Sequence, residues 1–97
     1  MIIRPASRKD CQAIYSLYQS EKWLSFTEEK VTSLFSTNLS HYLVLEEDQK
    51  ILGFVRYLTD EVLTTFLAEI IIDKSHRRKG LGQQLIEEIH KKYPLTR

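Results

Sequence analysis

The chain has 97 residues, 42% apolar and 28% charged, with a formal net charge of +1. That length supports one domain, spanning 1–97, around a modest core; the composition excludes global disorder, and the balanced charge argues against a dedicated nucleic-acid binder. The single Cys11 precludes an intramolecular disulfide or a cysteine metal cluster, no apolar run nears the roughly 20 residues of a membrane span, and Met-Ile-Ile-Arg-Pro is no signal peptide, so a cytoplasmic protein with no membrane partner is expected.

Ile2 to Arg4 read as a short strand ended by Pro5. Ser7 is a good helix N-cap, and Asp10 three residues on completes a capping-box pattern. Cys11, Ile14, Tyr15 and Tyr18 then fall at helical spacing, which predicts a helix over 9–21. Thr27 caps a second helix, with Glu28 and Glu29 at its positive end and Val31, Leu34 and Phe35 as its apolar stripe. Trp23 and Phe26 lie between the two helices. His41 to Glu47 and Ile51 to Thr59 read as strands joined by the turn Asp48-Gln49-Lys50, an antiparallel hairpin. In the following run, Ala68-Glu69-Ile70-Ile71-Ile72 reads as a strand buried on both faces. A last helix opens at Gly80-Leu81-Gly82, carries Leu85, Ile86 and Ile89 on its apolar side, and stops at Tyr93-Pro94. The order is β-α-α-β-β-β-α, an α/β (α+β) domain with a mixed, mostly antiparallel sheet and helices on both faces.

The segment from Ile72 to Gln83 carries the chemistry. A strand delivers the chain to His76, Arg77, Arg78 and Lys79, and two glycines let the backbone approach a ligand closely. The new helix starts there with unpaired N–H groups and the positive end of its dipole. This is an anion site of backbone donors with basic side chains at its rim, suited to a phosphate or pyrophosphate. A Walker loop is excluded, because no Gly-Lys-Ser or Gly-Lys-Thr follows. A dinucleotide fingerprint fits poorly, because Leu85 occupies the third glycine position. What is left is Arg77-x-x-Gly80-x-Gly82, with Gly80 eight residues after Ile72.

That pattern, in its strand–loop–helix setting, resembles the acetyl-CoA motif of the GNAT superfamily of N-acetyltransferases. The element order and the opening Ile-Ile-Arg-Pro-Ala are also similar to that family, over nearly the whole chain. The resemblance implies acetyl-CoA as co-substrate and no metal. It implies that backbone N–H groups from Arg78 through Lys79, Gly80, Leu81 and Gly82 to Gln83 hold the pyrophosphate, and that Arg77, Arg78 or Lys79 adds charge. It places the pantetheine arm along Ile70, Ile71 and Ile72, with backbone groups of Ile70 and Ile72 pairing to it. The Ile70 N–H would hold the thioester carbonyl and its developing oxyanion. The implied reaction is acetyl transfer to a primary amine by direct attack in a ternary complex, the acceptor being a small molecule or a peptide.

Such a transfer needs a group to take the amine's proton. Glu69, alone in an apolar strand beside the expected thioester, is the first choice; Glu46, Glu47 and Asp73 are weaker. The family often draws its acid from a tyrosine beyond the last helix present here, and the chain reaches Arg97 without the usual last strands and helix. Tyr57 and Tyr93 are the available substitutes. The sheet edge so exposed allows a homodimer, a fragment of a longer chain, or a non-catalytic acyl-CoA-binding or regulatory module. Trp23 and Phe26 are either core or acceptor-pocket residues. His41 and His90 have no partner at metal-ligand spacing. A nucleic acid partner for the basic loop is the third reading, set aside for want of a basic excess.

Overall fold

The computed structural model describes residues 1–37 and 40–96. Strand β1 is Ile2–Pro5, followed by a 3-10 turn at Arg8–Asp10 and helix α1 at Cys11–Ser20. Helix α2 is Glu28–Leu34, and strands β2, β3 and β4 are Ser40–Glu47, Lys50–Thr59 and Thr65–Ile72. A 3-10 turn at Lys74–His76 leads to helix α3, Leu81–Lys92. The strands lie in the order β1-β2-β3-β4, and all three pairings are antiparallel.

Local chemistry explains most of these boundaries. The Ser7 N–H donates to Asp10 Oδ2 at 2.8 Å, one half of the expected capping box. The Thr27 hydroxyl accepts from the Lys30 N–H at 3.2 Å and starts α2. Asp48 and Gln49 take φ of 51° and 65°, the left-handed pair that a two-residue hairpin loop needs to match strand twist. Arg4 bonds both Asp10 and Glu46, tying β1 to the start of α1 and to β2. The Arg4 bond holds the Asp10 carboxyl below its ordinary range.

Helices cover both faces of the sheet. Ile14, Leu17, Tyr18 and Val31 of α1 and α2 pack on Tyr42, Val44, Phe54 and Ile71. Leu81, Leu85 and Ile89 of α3 pack on the other face against Leu43, Leu45, Leu52, Val55 and Tyr57. Strands β2 and β3 are therefore the ones buried on both sides, over Tyr42–Leu45 and Leu52–Val55.

The expectation that Ala68–Ile72 is buried on both faces is corrected. Strand β4 is the outer strand of the sheet, Ile71 alone in that stretch is buried, and Phe66 and Ile70 are 62% and 39% exposed. A run of β-branched apolar residues suits a central strand or an apolar edge alike, and pairing order decides between them. The close seating of β4 depends on Gly53: a Cβ there would stand 2.5 Å from Ile72 Cδ1 and 2.9 Å from the Ile71 carbonyl oxygen.

Candidate functional site

The loop between β4 and α3 has a special backbone. Arg78 has φ of 68°, and Gly80, the residue before α3, has φ of 73° and ψ of 17°. Left-handed backbone is natural for glycine and strained for Arg78. Gln84 is the first α3 residue whose N–H closes an intrahelical bond, to Gly80 at 3.1 Å. The N–H groups of Leu81, Gly82 and Gln83 have no partner among the described residues, and no side chain caps the helix. Three donors and a dipole end thus converge at an exposed point. The Leu81 side chain is buried under α3, so its backbone alone is available there. A Cβ at Gly82 would meet Ile70 Cδ1 at an ordinary 3.5 Å, so the first turn of α3 lies against the Ile70 side chain of β4.

The basic side chains divide into two sets. Arg78 and Lys79 are exposed and make no ion pair among the described residues. Arg77 is engaged: its Nη2 pairs with Glu21 at the end of α1, and its Nε donates to the Ile72 carbonyl at 3.1 Å. It therefore fastens the loop to the α1–α2 connection. His76 Nδ1 lies 2.9 Å from Asp73 Oδ2. Hydrogen bonds from Ser75 and then His76 hold the Asp73 carboxyl below its ordinary range.

The register of β4 determines what its free edge presents. The Asp73 N–H donates to Leu52 O at 2.7 Å, so Asp73, Ile71 and Glu69 bond inward to β3. The N–H and C=O of Ile70 and Ile72 then turn outward, and the Ile72 carbonyl is the one that Arg77 reaches. Ile71 differs from its neighbours: its backbone faces β3 and its side chain is in the core. The register slips by one residue opposite Arg56 and Tyr57, which leaves Ala68 as a bulge in β4. Such a bulge bends the strand and redirects the groups beside it. The basic loop, the open start of α3 and the outward donors of Ile70 and Ile72 are thus consecutive along one edge of the molecule.

Glu69 points to the opposite face, toward α1. Its Oε1 accepts from Arg56 Nε at 2.5 Å and from the Tyr18 hydroxyl at 2.7 Å, and its Oε2 accepts from Arg56 Nη2 at 2.6 Å. The Tyr18 proton goes to the carboxylate, so Tyr42 donates to Tyr18 across their 3.0 Å contact. Arg56 Nη1 also donates to Ser40 Oγ at 3.2 Å. Burial first, then the hydrogen bonds with Tyr42 and Glu69, push the Tyr18 hydroxyl far above its ordinary value; burial pushes Tyr42 up to about 12. Of roughly four lone pairs on a carboxylate, these bonds leave Glu69 one, on Oε2. Phe26 stacks on Tyr18 with ring centroids 4.1 Å apart, and Trp23 lies partly exposed beside them.

The other carboxylates are elsewhere. Glu46 is held by Arg4, Glu47 is exposed at the hairpin end, and Asp73 accepts from the Ser75 hydroxyl in the turn before the basic loop. Tyr57 and Tyr93 lie on the α3 side of the sheet, away from Glu69. Sequence reasoning missed Arg56 as the partner of Glu69. The available signal was an arginine and a glutamate, each set in an apolar strand, since opposite charges on paired strands tend to face each other. No periodicity announced the Arg77–Glu21 pair, which joins residues 56 positions apart. Among the described residues no helix is long and apolar enough to cross a membrane, and no cluster of metal-ligating side chains occurs.

The acetyltransferase (GNAT) family model matches residues 8–94. A comparison with curated protein sequences finds no match. Among solved structures, an aminoglycoside antibiotic 6′-N-acetyltransferase from Acinetobacter haemolyticus is 18% identical, with a TM-score of 0.75, over 97% of this chain and 72% of that one. A ribosomal-protein-alanine N-acetyltransferase from Brucella melitensis is 17% identical, with a TM-score of 0.81, over 97% and 74%. An aminoglycoside 6′-N-acetyltransferase complexed with coenzyme A gives 13% identity and a TM-score of 0.81, over 97% and 56%. At such identities these structures establish the shared fold, while the family match extends over most of the sequence: the chain belongs to the GNAT family of acetyltransferases.

Proposed function

We propose that the chain transfers an acetyl group from acetyl-CoA to a primary amine, by direct attack within a ternary complex. One observation carries this reading: three N–H groups at the start of α3, unpaired among the described residues, follow the outward backbone of Ile70 and Ile72 across the loop 73–80. The N–H groups of Leu81, Gly82 and Gln83, with Arg78 and Lys79 at the rim, would hold the pyrophosphate. The pantetheine amides would pair with Ile70 and Ile72 as an added strand. The Ile70 N–H would face the thioester oxygen as negative charge develops on it. The amine gives its proton to Glu69 Oε2, directly or through water, and its nitrogen attacks the thioester carbon. The C–S bond breaks, and the departing thiolate takes up the second proton that the nitrogen sheds on becoming an amide.

One observation favours a second reading, acyl-CoA binding without catalysis. Glu69 already accepts three hydrogen bonds, two from an arginine, and a proton acceptor so occupied is poorly placed to act. The deciding experiment is calorimetric titration with acetyl-CoA, followed by a screen of amines for release of free thiol. Binding with turnover supports the transferase. Binding without turnover of any amine supports the binding module. No binding by the folded chain removes both.

A further inference from the structure

We infer that the acceptor is an amine that carries its own carboxylate, a free α-amino acid in the simplest case, held in the cleft between α2 and Arg56. The inference rests on the transferase reading above and names its substrate class. The cleft has a volume of about 420 Å³ and is lined by Ser25, Phe26, Lys30, Ser33, Leu34 and Arg56. That volume lies within the roughly 300–1,000 Å³ of small-molecule sites. No carboxylate lines it among the described residues.

The donor inventory of Arg56 is decisive. A guanidinium has five N–H donors. Nε and Nη2 each spend one on Glu69, and Nη1 spends one on Ser40. Two stay unspent among the described residues, one on each Nη nitrogen, and guanidinium forks hold carboxylates well. Lys30 adds an ammonium at the exposed rim and makes no ion pair among the described residues. Of the lining residues Lys30 and Arg56 are cationic and none is acidic; with Arg56 paired to Glu69 behind the cleft, one positive charge, that of Lys30, is left over. A polycationic aminoglycoside would be repelled there.

The spacing in an α-amino acid fits the rest of the site. Its ammonium lies one carbon from its carboxylate. A carboxylate docked on Arg56 therefore brings the ammonium beside Glu69, whose Oε2 keeps one lone pair free. Phe26 and Leu34 offer an apolar wall to the side chain. In the reaction one ammonium proton passes to Glu69 and on to water, the neutral nitrogen bonds to the acetyl carbon, and the C–S bond breaks as the nitrogen's second surplus proton goes to the departing thiolate. The products are an N-acetyl amino acid, CoA thiol and one proton released to water.

The test is calorimetric titration of the 97-residue chain, already saturated with CoA, by amines that differ in the carboxylate alone. Leucine is compared with 3-methylbutylamine, phenylalanine with 2-phenylethylamine, and kanamycin serves as the polycation. The amino acid is expected to bind at least about tenfold more tightly than its decarboxylated partner, the size of one charge-assisted hydrogen bond. Lys30→Glu, an exposed change checked for folding by its melting curve, is expected to erase that preference. Equal or tighter binding of the decarboxylated amine or of kanamycin overturns the inference. So does the absence of saturable amino-acid binding, which leaves the transferase reading standing as long as CoA binds. Failure of CoA to bind removes the transferase reading, and the inference with it.

Discussion

Replacing Gly80 separates the backbone's part in the site from the ligand's. Gly80 holds φ of 73°, and a Cβ added there meets nothing within 4 Å. Alanine is therefore strained by its backbone alone, by about 1–2 kcal/mol. In a domain of this size that lowers Tm by roughly 5–15 °C. Aspartate tolerates the left-handed region better, but it puts a carboxylate where the pyrophosphate would sit, and its own oxygens can bond the open N–H groups of α3. Two unit charges about 4 Å apart at an effective dielectric near 20 repel by about 4 kcal/mol. Halved for screening, this is still roughly a thirtyfold loss of affinity. The assay is acetyl-CoA titration of the wild type, Gly80→Ala and Gly80→Asp, each with a thermal melt. Gly80→Ala is expected to melt lower and bind within about tenfold of wild type, whereas Gly80→Asp is expected to stay folded and lose binding. Undiminished acetyl-CoA affinity in Gly80→Asp would refute the placement of the phosphates, and an unchanged melt of Gly80→Ala would refute the backbone argument.

Glu69→Gln is expected to keep acetyl-CoA affinity and lower turnover at neutral pH; equal rates for the variant and wild type remove Glu69 as the proton acceptor. Arg56→Ala leaves that largely buried carboxylate without its cation and is expected to lower stability by about 3–5 kcal/mol in urea melts, and a loss under 1 kcal/mol would mean that Glu69 relaxes into water. Glu21→Gln frees Arg77 and is expected to tighten acetyl-CoA binding several-fold at low salt, with Arg77→Ala weakening it; no response to either means that Arg77 only fastens the loop. Asp10 has a folded value below its ordinary 3.8, so the stability it contributes is full above 3.8 and fades as pH falls through the lower folded value. Asp10→Asn should therefore be less stable than wild type at pH 7 and converge with it in melts at the acid end, and a constant difference down to pH 2 would show that linkage to Arg4 is not the cause.

What the sequence determined by itself was everything set by neighbours along the chain. Caps at Ser7 and Thr27, the hairpin turn at Asp48-Gln49, and the apolar stripes of the helices are local signals, because capping and periodicity act within a few residues. The backbone of the candidate site is legible for the same reason: glycine's left-handed conformation and the open donors of a helix start are properties of one short segment. What only the tertiary structure decided depends on strand pairing. The apolar run at Ala68–Ile72 does not reveal that β4 lies at the edge, nor that Ala68 bulges there. Lone charges at Arg56 and Glu69 do not name each other, and Glu21 and Arg77 are far apart in sequence. In the sequence Glu69 stands as a lone carboxylate in an apolar strand. It is instead the centre of a network built by α1, β3 and β4, because a carboxylate is buried only where folding supplies donors to satisfy it.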